Sequence, residues 1–198
     1  MTIVTTIDSI CEWLNANVCP NIELKKPPKD GTPTNAKYEY ELVHPYAFPM
    51  YLPTKDKLPP KVKTAFPSIC VQLQSGTDTT DNREMDISLG FGAWNPGIHP
   101  DDWIIPEGST PPEDGNVLSN EVEGWRDLWN FVDYTVTAIE QTTYLGENVE
   151  VVRNEEIEFG PYKEQESIIS YYPHWFAYMN FKVRSNLLRN NQSLINLL

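Results

Sequence analysis

With 198 residues the chain is long enough for one domain with a substantial core, and no run of roughly 18 apolar residues is available to cross a bilayer. Its 15 Lys and Arg against 28 Asp and Glu give a net charge of −13, which argues against a groove that grips a phosphate backbone with clustered cations. The three cysteines, Cys11, Cys19 and Cys70, contain no C-x-x-C pair, so neither a disulfide framework nor a thiolate zinc site is expected; they read as reduced thiols, Cys11 and Cys70 inside.

The opening segment, MTIVTTIDSICEWLNANV, has no basic flank and is interrupted by Asp8 and Glu12, unlike a secretory signal, so a soluble intracellular protein is expected. Asp8 or Thr6 is placed to cap a helix in which Ile7, Ile10, Cys11, Leu14 and Val18 recur at three- and four-residue steps, and Pro20 ends it. Strands are predicted at 22–25 and 38–43, separated by the turn-rich PPKDGTPTN. Residues 44–67 are proline-rich yet carry Tyr46, Phe48, Met50, Tyr51 and Leu52. They read as an extended arm or long loop lying against an apolar surface.

Residues 68–74 and 84–93 alternate as two strands of a hairpin closed by SGTDTTDNR. Met85, Ile87, Leu89, Phe91 and Ala93 point one way, and Asp86, Ser88, Gly90 and Gly92 the other. Those glycines either leave room for a second backbone or mark a bulge. A long acidic, proline-rich loop is predicted over 94–120, followed by a helix over 121–142 capped by Asn120. Its apolar face is read as Val122, Trp125, Trp129, Val132, Val136 and Ile139, with Glu123, Asp127, Asp133 and Glu140 on other faces.

Short strands at 149–153 and 157–159 flank an NEE turn. In the aromatic stretch SYYPHWFAYMNFKV, Trp175, Ala177, Met179, Phe181 and Val183 make one strand face while Phe176 and Tyr178 partly fill the other. That is the pattern of a strand covered on both sides in the middle of a sheet. The element order predicts a single α+β domain over 1–184, a mixed, largely antiparallel sheet flanked by helices, with a tail at 185–198.

Catalytic chemistry finds little support. His44, His99 and His174 with Asp101 and Asp102 have no local ligand spacing, and ordinary loop or strand histidines explain them better. The pairs Asp101–Asp102 and Glu155–Glu156 invite a two-carboxylate glycosidase reading, but such pairs arise by chance among 28 acids. No G-x-S-x-G, catalytic cysteine context or glycine-rich phosphate loop occurs. The expectation is a non-enzyme without catalytic, metal or cofactor residues. Charge is uneven as well: positions 101–160 hold 15 acids against Arg126 and Arg153, whereas positions 1–65 hold eight lysines against seven acids.

Two blocks carry a resemblance. EGWRDLWNFVDYTVTAIEQ resembles the long helix of phage tail terminator and related minor tail (head-tail joining) proteins, and EIEFGPYKEQESIISYYPHWFAYMNFKV resembles their closing segment. The hairpin FPSICVQLQSGTDTTDNREMDISLGFGAW fits the same order, so the likeness spans 66–184, and VHPYAFPMYLPTKDKLPP is similar to the arm of prophage members. The loop at 94–120 and the tail after 184 are longer than in that family.

The resemblance implies a homo-oligomeric ring, hexameric by expectation, at the head-proximal end of the tail tube. There it would stop tube growth and meet the head-tail connector protein. DNA would pass through without specific binding, past acids drawn from 101–160, and no membrane would be involved. The arm around Phe48 and Tyr51 and the tail at 187–198 would cover neighbouring subunits. A head-completion or connector role is the nearest rival. A carbohydrate or host-surface module, stacking sugars on Trp94, Trp103, Tyr171 and Tyr172, is another.

Overall fold

The computed structural model describes residues 1–27, 41–79, 82–95, 124–165, 167–168 and 171–186. Helix α1 spans Ile3–Asn17 and buries Ile7, Ile10, Cys11 and Leu14, the face that the spacing predicts. Its cap is Thr2, not Asp8 or Thr6. The Thr2 hydroxyl accepts from the Thr5 N–H at 3.1 Å while the Thr5 hydroxyl accepts from the Thr2 N–H at 2.9 Å. This reciprocal box satisfies donors that an N-terminal turn otherwise leaves orphaned. It starts the helix well before Asp8.

Strands β1 (Leu24–Lys25) and β2 (Leu42–Val43) form a two-residue antiparallel ladder, shorter than predicted. Residues 38–40 lie outside the described residues. The arm is corrected more substantially. Its first part is strand β3 (Tyr46–Pro49), which pairs in parallel with β4 (Ser68–Asp78) at the sheet edge. Ala47 and Phe48 are both buried within their own chain, so Phe48 is not free to cover a neighbouring subunit. The Asn15 side chain ties α1 to this edge, donating to the Ala47 carbonyl at 3.0 Å and accepting from its N–H at 2.8 Å.

Strand β4 and β5 (Asn82–Trp94) form the expected hairpin, with strands reaching further into SGTDTTDNR than alternation alone implies. The bulge lies in β4, between Leu73 and Ser75, rather than at the glycines of β5. Strand β6 (Val149–Val151) and β7 (Glu158–Pro161) do not pair with each other around the NEE turn. Both pair with β10 (His174–Asn186), β6 through Val151 opposite Val183 and β7 through Glu158 opposite Asn180. They are successive pieces of one edge, with residues 153–157 as an excursion between them. A small hairpin, β8 (Lys163–Glu164) with β9 (Ser167–Ile168), was not anticipated.

The main sheet runs β3-β4-β5-β10-β6, with β7 also on β10, and all its pairings except β3–β4 are antiparallel. Strand β10 is central, as read from SYYPHWFAYMNFKV. One face, Ala177, Met179, Phe181 and Val183, is buried with Met85, Ile87, Leu89, Phe91 and Ala93 of β5 in a single core. The other is only half covered, with His174, Phe176, Tyr178, Asn180, Lys182 and Arg184 all partly accessible. This corrects the expectation of a strand sealed on both sides.

Helix α2 (Gly124–Glu140) lies on the buried face with α1; Phe131 meets Phe91 edge-on at 5.1 Å between ring centroids. Its buried stripe is Gly124, Leu128, Phe131, Val132, Thr135 and Ile139. The predicted stripe shares only Val132 and Ile139 with it. Trp129 and Val136 flank the core and Trp125 is exposed, because the helix carries two overlapping apolar stripes and only one faces the sheet. Val122, Glu123 and the predicted cap Asn120 lie outside the described residues. The chain is thus an α+β domain with a mixed, mostly antiparallel sheet and its two described helices in one layer.

Candidate functional surface

At the end of β5, Asn95 is buried and joins three elements. Its side chain accepts from Lys25 Nζ at 2.9 Å and donates to Asp127 Oδ2 at 2.6 Å, while its carbonyl accepts from Trp175 Nε1 at 2.9 Å. Burial pushes the Lys25 amine below its usual range, and the Asp127 charge opposes that shift. Asp127, read as lying off the apolar face, is half-buried here, where it closes this network. A Cβ on Gly124 would strike the Asn95 carbonyl and stand 2.6 Å from Trp175 Nε1, so only glycine fits beneath. The arrangement clamps helix to strand.

The half-covered face of the sheet has two halves. Toward the start of β10 it is aromatic: Phe66 packs edge-on against His174 at 5.1 Å and Phe176 at 5.9 Å, and Tyr171 meets Phe176 at 5.6 Å. Burial lowers the His174 pKa. Toward the hairpin tip it is ionic. Arg184 donates from Nε at 3.1 Å and from NH2 at 2.7 Å to Glu84 Oε1, and Lys182 pairs with Glu155 at 2.8 Å and Asp86 at 3.9 Å. Ser75 also donates to Asp86 across the hairpin. Cross-strand pairs of this kind set register and add modest stability.

A shallow groove of about 380 Å³ lies along this ionic half, lined by Gln74, Asp86, Ile87, Glu155, Glu156, Glu158, Asn180, Phe181 and Lys182. Glu155 and Glu156 are both exposed, Glu155 being engaged by Lys182 and Glu158 by Tyr178 and Asn180. Neither acid sits in the apolar setting that a proton-donating carboxyl requires.

The two described histidines, His44 and His174, do not meet. His44 is exposed and bonds the Ile22 carbonyl through Nδ1 at 2.8 Å, His174 lies among rings, and His99, Asp101 and Asp102 fall outside the described residues. Among the described residues no three His, Cys, Asp or Glu side chains converge as a metal site. Trp94 is 2% exposed, which removes it from any sugar-stacking surface, and Trp103 is outside the described residues. Tyr171 and Tyr172 remain exposed but pack edge-on against different rings, Phe176 and Trp175.

The thiols are inert by environment. Cys11 and Cys19 are buried and pushed up to about 12, and Cys70, only half-buried, to about 11, burial being the main cause throughout. No protein-family profile matches the chain, and no curated protein matches it.

Apart from Asp127, the described acids of the 101–160 stretch divide between two sides. Asp133 and Glu140 project from the solvent side of α2. Glu147, Glu150, Glu155, Glu156 and Glu158 follow the β6–β7 edge. The latter rim was legible as a charge run; the Asn95 hub was not, since one asparagine after a strand has no pattern of its own.

Proposed function

We propose that the chain is a non-enzymatic structural subunit of a phage or prophage virion. It assembles as a ring at the head-proximal end of the tail tube, where it ends tube growth and offers the head a joining surface. The observation that carries this reading is that the blocks resembling tail terminators form one contiguous unit: β4, β5, α2, β7 and β10 pack together. Net charge supports it too, because a strongly acidic ring gives passing phosphates no purchase. On this reading Asp133 and Glu140, outward on α2, are the described acids assigned to the DNA channel.

Electron microscopy of particles lacking the gene tests the proposal. Overlong or ragged tails separated from full heads are expected. Normal-length tails attached to heads, with infection failing at a later step, would overturn it.

A further inference from the structure

We propose that copies of this chain join head to tail through the two opposite edges of the main sheet. The lysine-bearing β3–β4 side of one copy sits on the glutamate-bearing β6–β7 side of the next. This rests on the ring reading above and names the contact that would build it.

Among the described residues each edge keeps an unpaired stretch, although the Asn15 side chain bonds Ala47 of β3 and residues 143–145 bond the outer side of β6. Strand β3 pairs with β4 only as far as Pro49 opposite Val71, and Met50 N–H adds one bond to the Val71 carbonyl. Beyond it, Gln74–Asp78 are exposed, and no strand among the described residues pairs with their outer side. On the far edge, β7 pairs with β10 alone among the described strands. Unpaired edges of this length are templates for another chain.

The edges also differ in sign. Residues 50–67 carry Lys55, Lys57, Lys61 and Lys63 against Asp56, a local charge of 4 − 1 = +3 in a chain of −13. Residues 147–158 carry five glutamates against Arg153, giving 1 − 5 = −4. Lys55, Lys57 and Lys61 are exposed and form no ion pair among the described residues, and the same holds for Glu147 and Glu156. Each edge further presents a large ring for burial: Tyr51, 75% exposed, just after β3, and Phe159, 52% exposed, within β7. An aromatic anchor rimmed by complementary charge is how a specific interface is assembled.

Pairing either edge with itself would oppose like charges. The favourable contact therefore joins unlike edges and repeats from copy to copy, which is the geometry that closes rings. A second copy is the occupant because the complement of each edge is carried by the same chain.

The test measures the mass of the full chain by analytical ultracentrifugation across a concentration series. One variant carries Lys55→Glu, Lys57→Glu and Lys61→Glu; a second carries Glu147→Lys and Glu156→Lys; a third carries Tyr51→Ser. All these side chains are exposed, and circular dichroism melts matching the parent establish folding. The parent is expected to associate, and each variant to require at least about tenfold higher concentration. An equimolar mixture of the two charge variants, and a chain carrying both sets, should recover the parent's mass.

A parent that stays monomeric, charge variants that keep the parent's mass, or a mixture that fails to recover it would each overturn the proposal. If tails of the gene-deleted phage are overlong while association ignores these charges, the ring reading survives and this contact fails. If the charge swap restores assembly while those tails are normal, the contact stands and the virion role fails.

Discussion

The ring of Phe66 occupies the space where a side chain on Gly92 would stand: an added Cβ would lie 2.5 Å from its Cε1 atom and 3.4 Å from Phe176. The glycine that alternation places on the outer face thus makes room for an aromatic ring of its own chain, not for a second backbone. Gly92→Ala must displace Phe66 from its edge contacts with His174 and Phe176, and overpacking of this sort costs about 1–3 kcal/mol. Urea unfolding should show the loss. Adding Phe66→Ala should then cost less than the sum of the two single changes, because the clash is already relieved. Full additivity would mean that the two positions do not compete for space.

Asn95→Ala removes the side-chain acceptor of Lys25 and the donor to Asp127 together. Both bonds are to half-buried charged groups, so a loss of about 2–4 kcal/mol is expected in equilibrium unfolding. The Asn95 carbonyl still receives Trp175 Nε1, so native tryptophan fluorescence should change little. An unfolding midpoint equal to the parent's would show that the hub does not carry the junction of α2 with β5.

The cysteines make a prediction about rates. With Cys11 and Cys19 near 12 and Cys70 near 11, each thiolate is scarcer in the folded chain than in the unfolded one, whose thiols titrate near 9. An aromatic disulfide reagent at pH 8 should therefore modify the native protein about a hundredfold or more slowly than the urea-unfolded protein. Cys70, the half-buried thiol, should react first. Rapid native labelling of Cys11 or Cys19 would contradict their burial.

Strand identity was legible wherever apolar residues alternated against polar ones. In β5 and β10 the face assignments for Met85 to Ala93 and Ala177 to Val183 follow from period two alone. Longer-range choices were not legible. That β3 joins β4 in parallel is settled by Asn15, 32 positions away, gripping Ala47. On α2, Trp125 and Trp129 outscore Leu128 and Phe131 in bulk, yet the shape of the sheet decides which stripe fits. The cap of α1 was missed because Thr replaces the usual Glu in the box. Of the candidate surface, the charge asymmetry is visible in the sequence. That it falls on opposite edges depends on strand order, which composition does not encode.

Glu41 gives the pH dependence its clearest expected feature. Hydrogen bonds from Lys26 and then Lys63, the latter at 2.9 Å, hold its carboxyl at about 2, below an ordinary value of 4.5. A group whose folded pKa is depressed stabilises the fold above its unfolded pKa, and that contribution declines as pH falls from about 4.5 and is lost as pH passes through about 2. The Glu41 side chain is open to solvent, so added salt should shrink the same contribution. Glu41→Gln should accordingly lower the urea midpoint at neutral pH and low salt. The gap from the parent should narrow steadily through that acidic window. A gap that stays constant between neutral pH and pH 2 would mean that the two lysines do not hold the carboxylate, and that β1–β2 is joined to the 50–67 segment by other contacts.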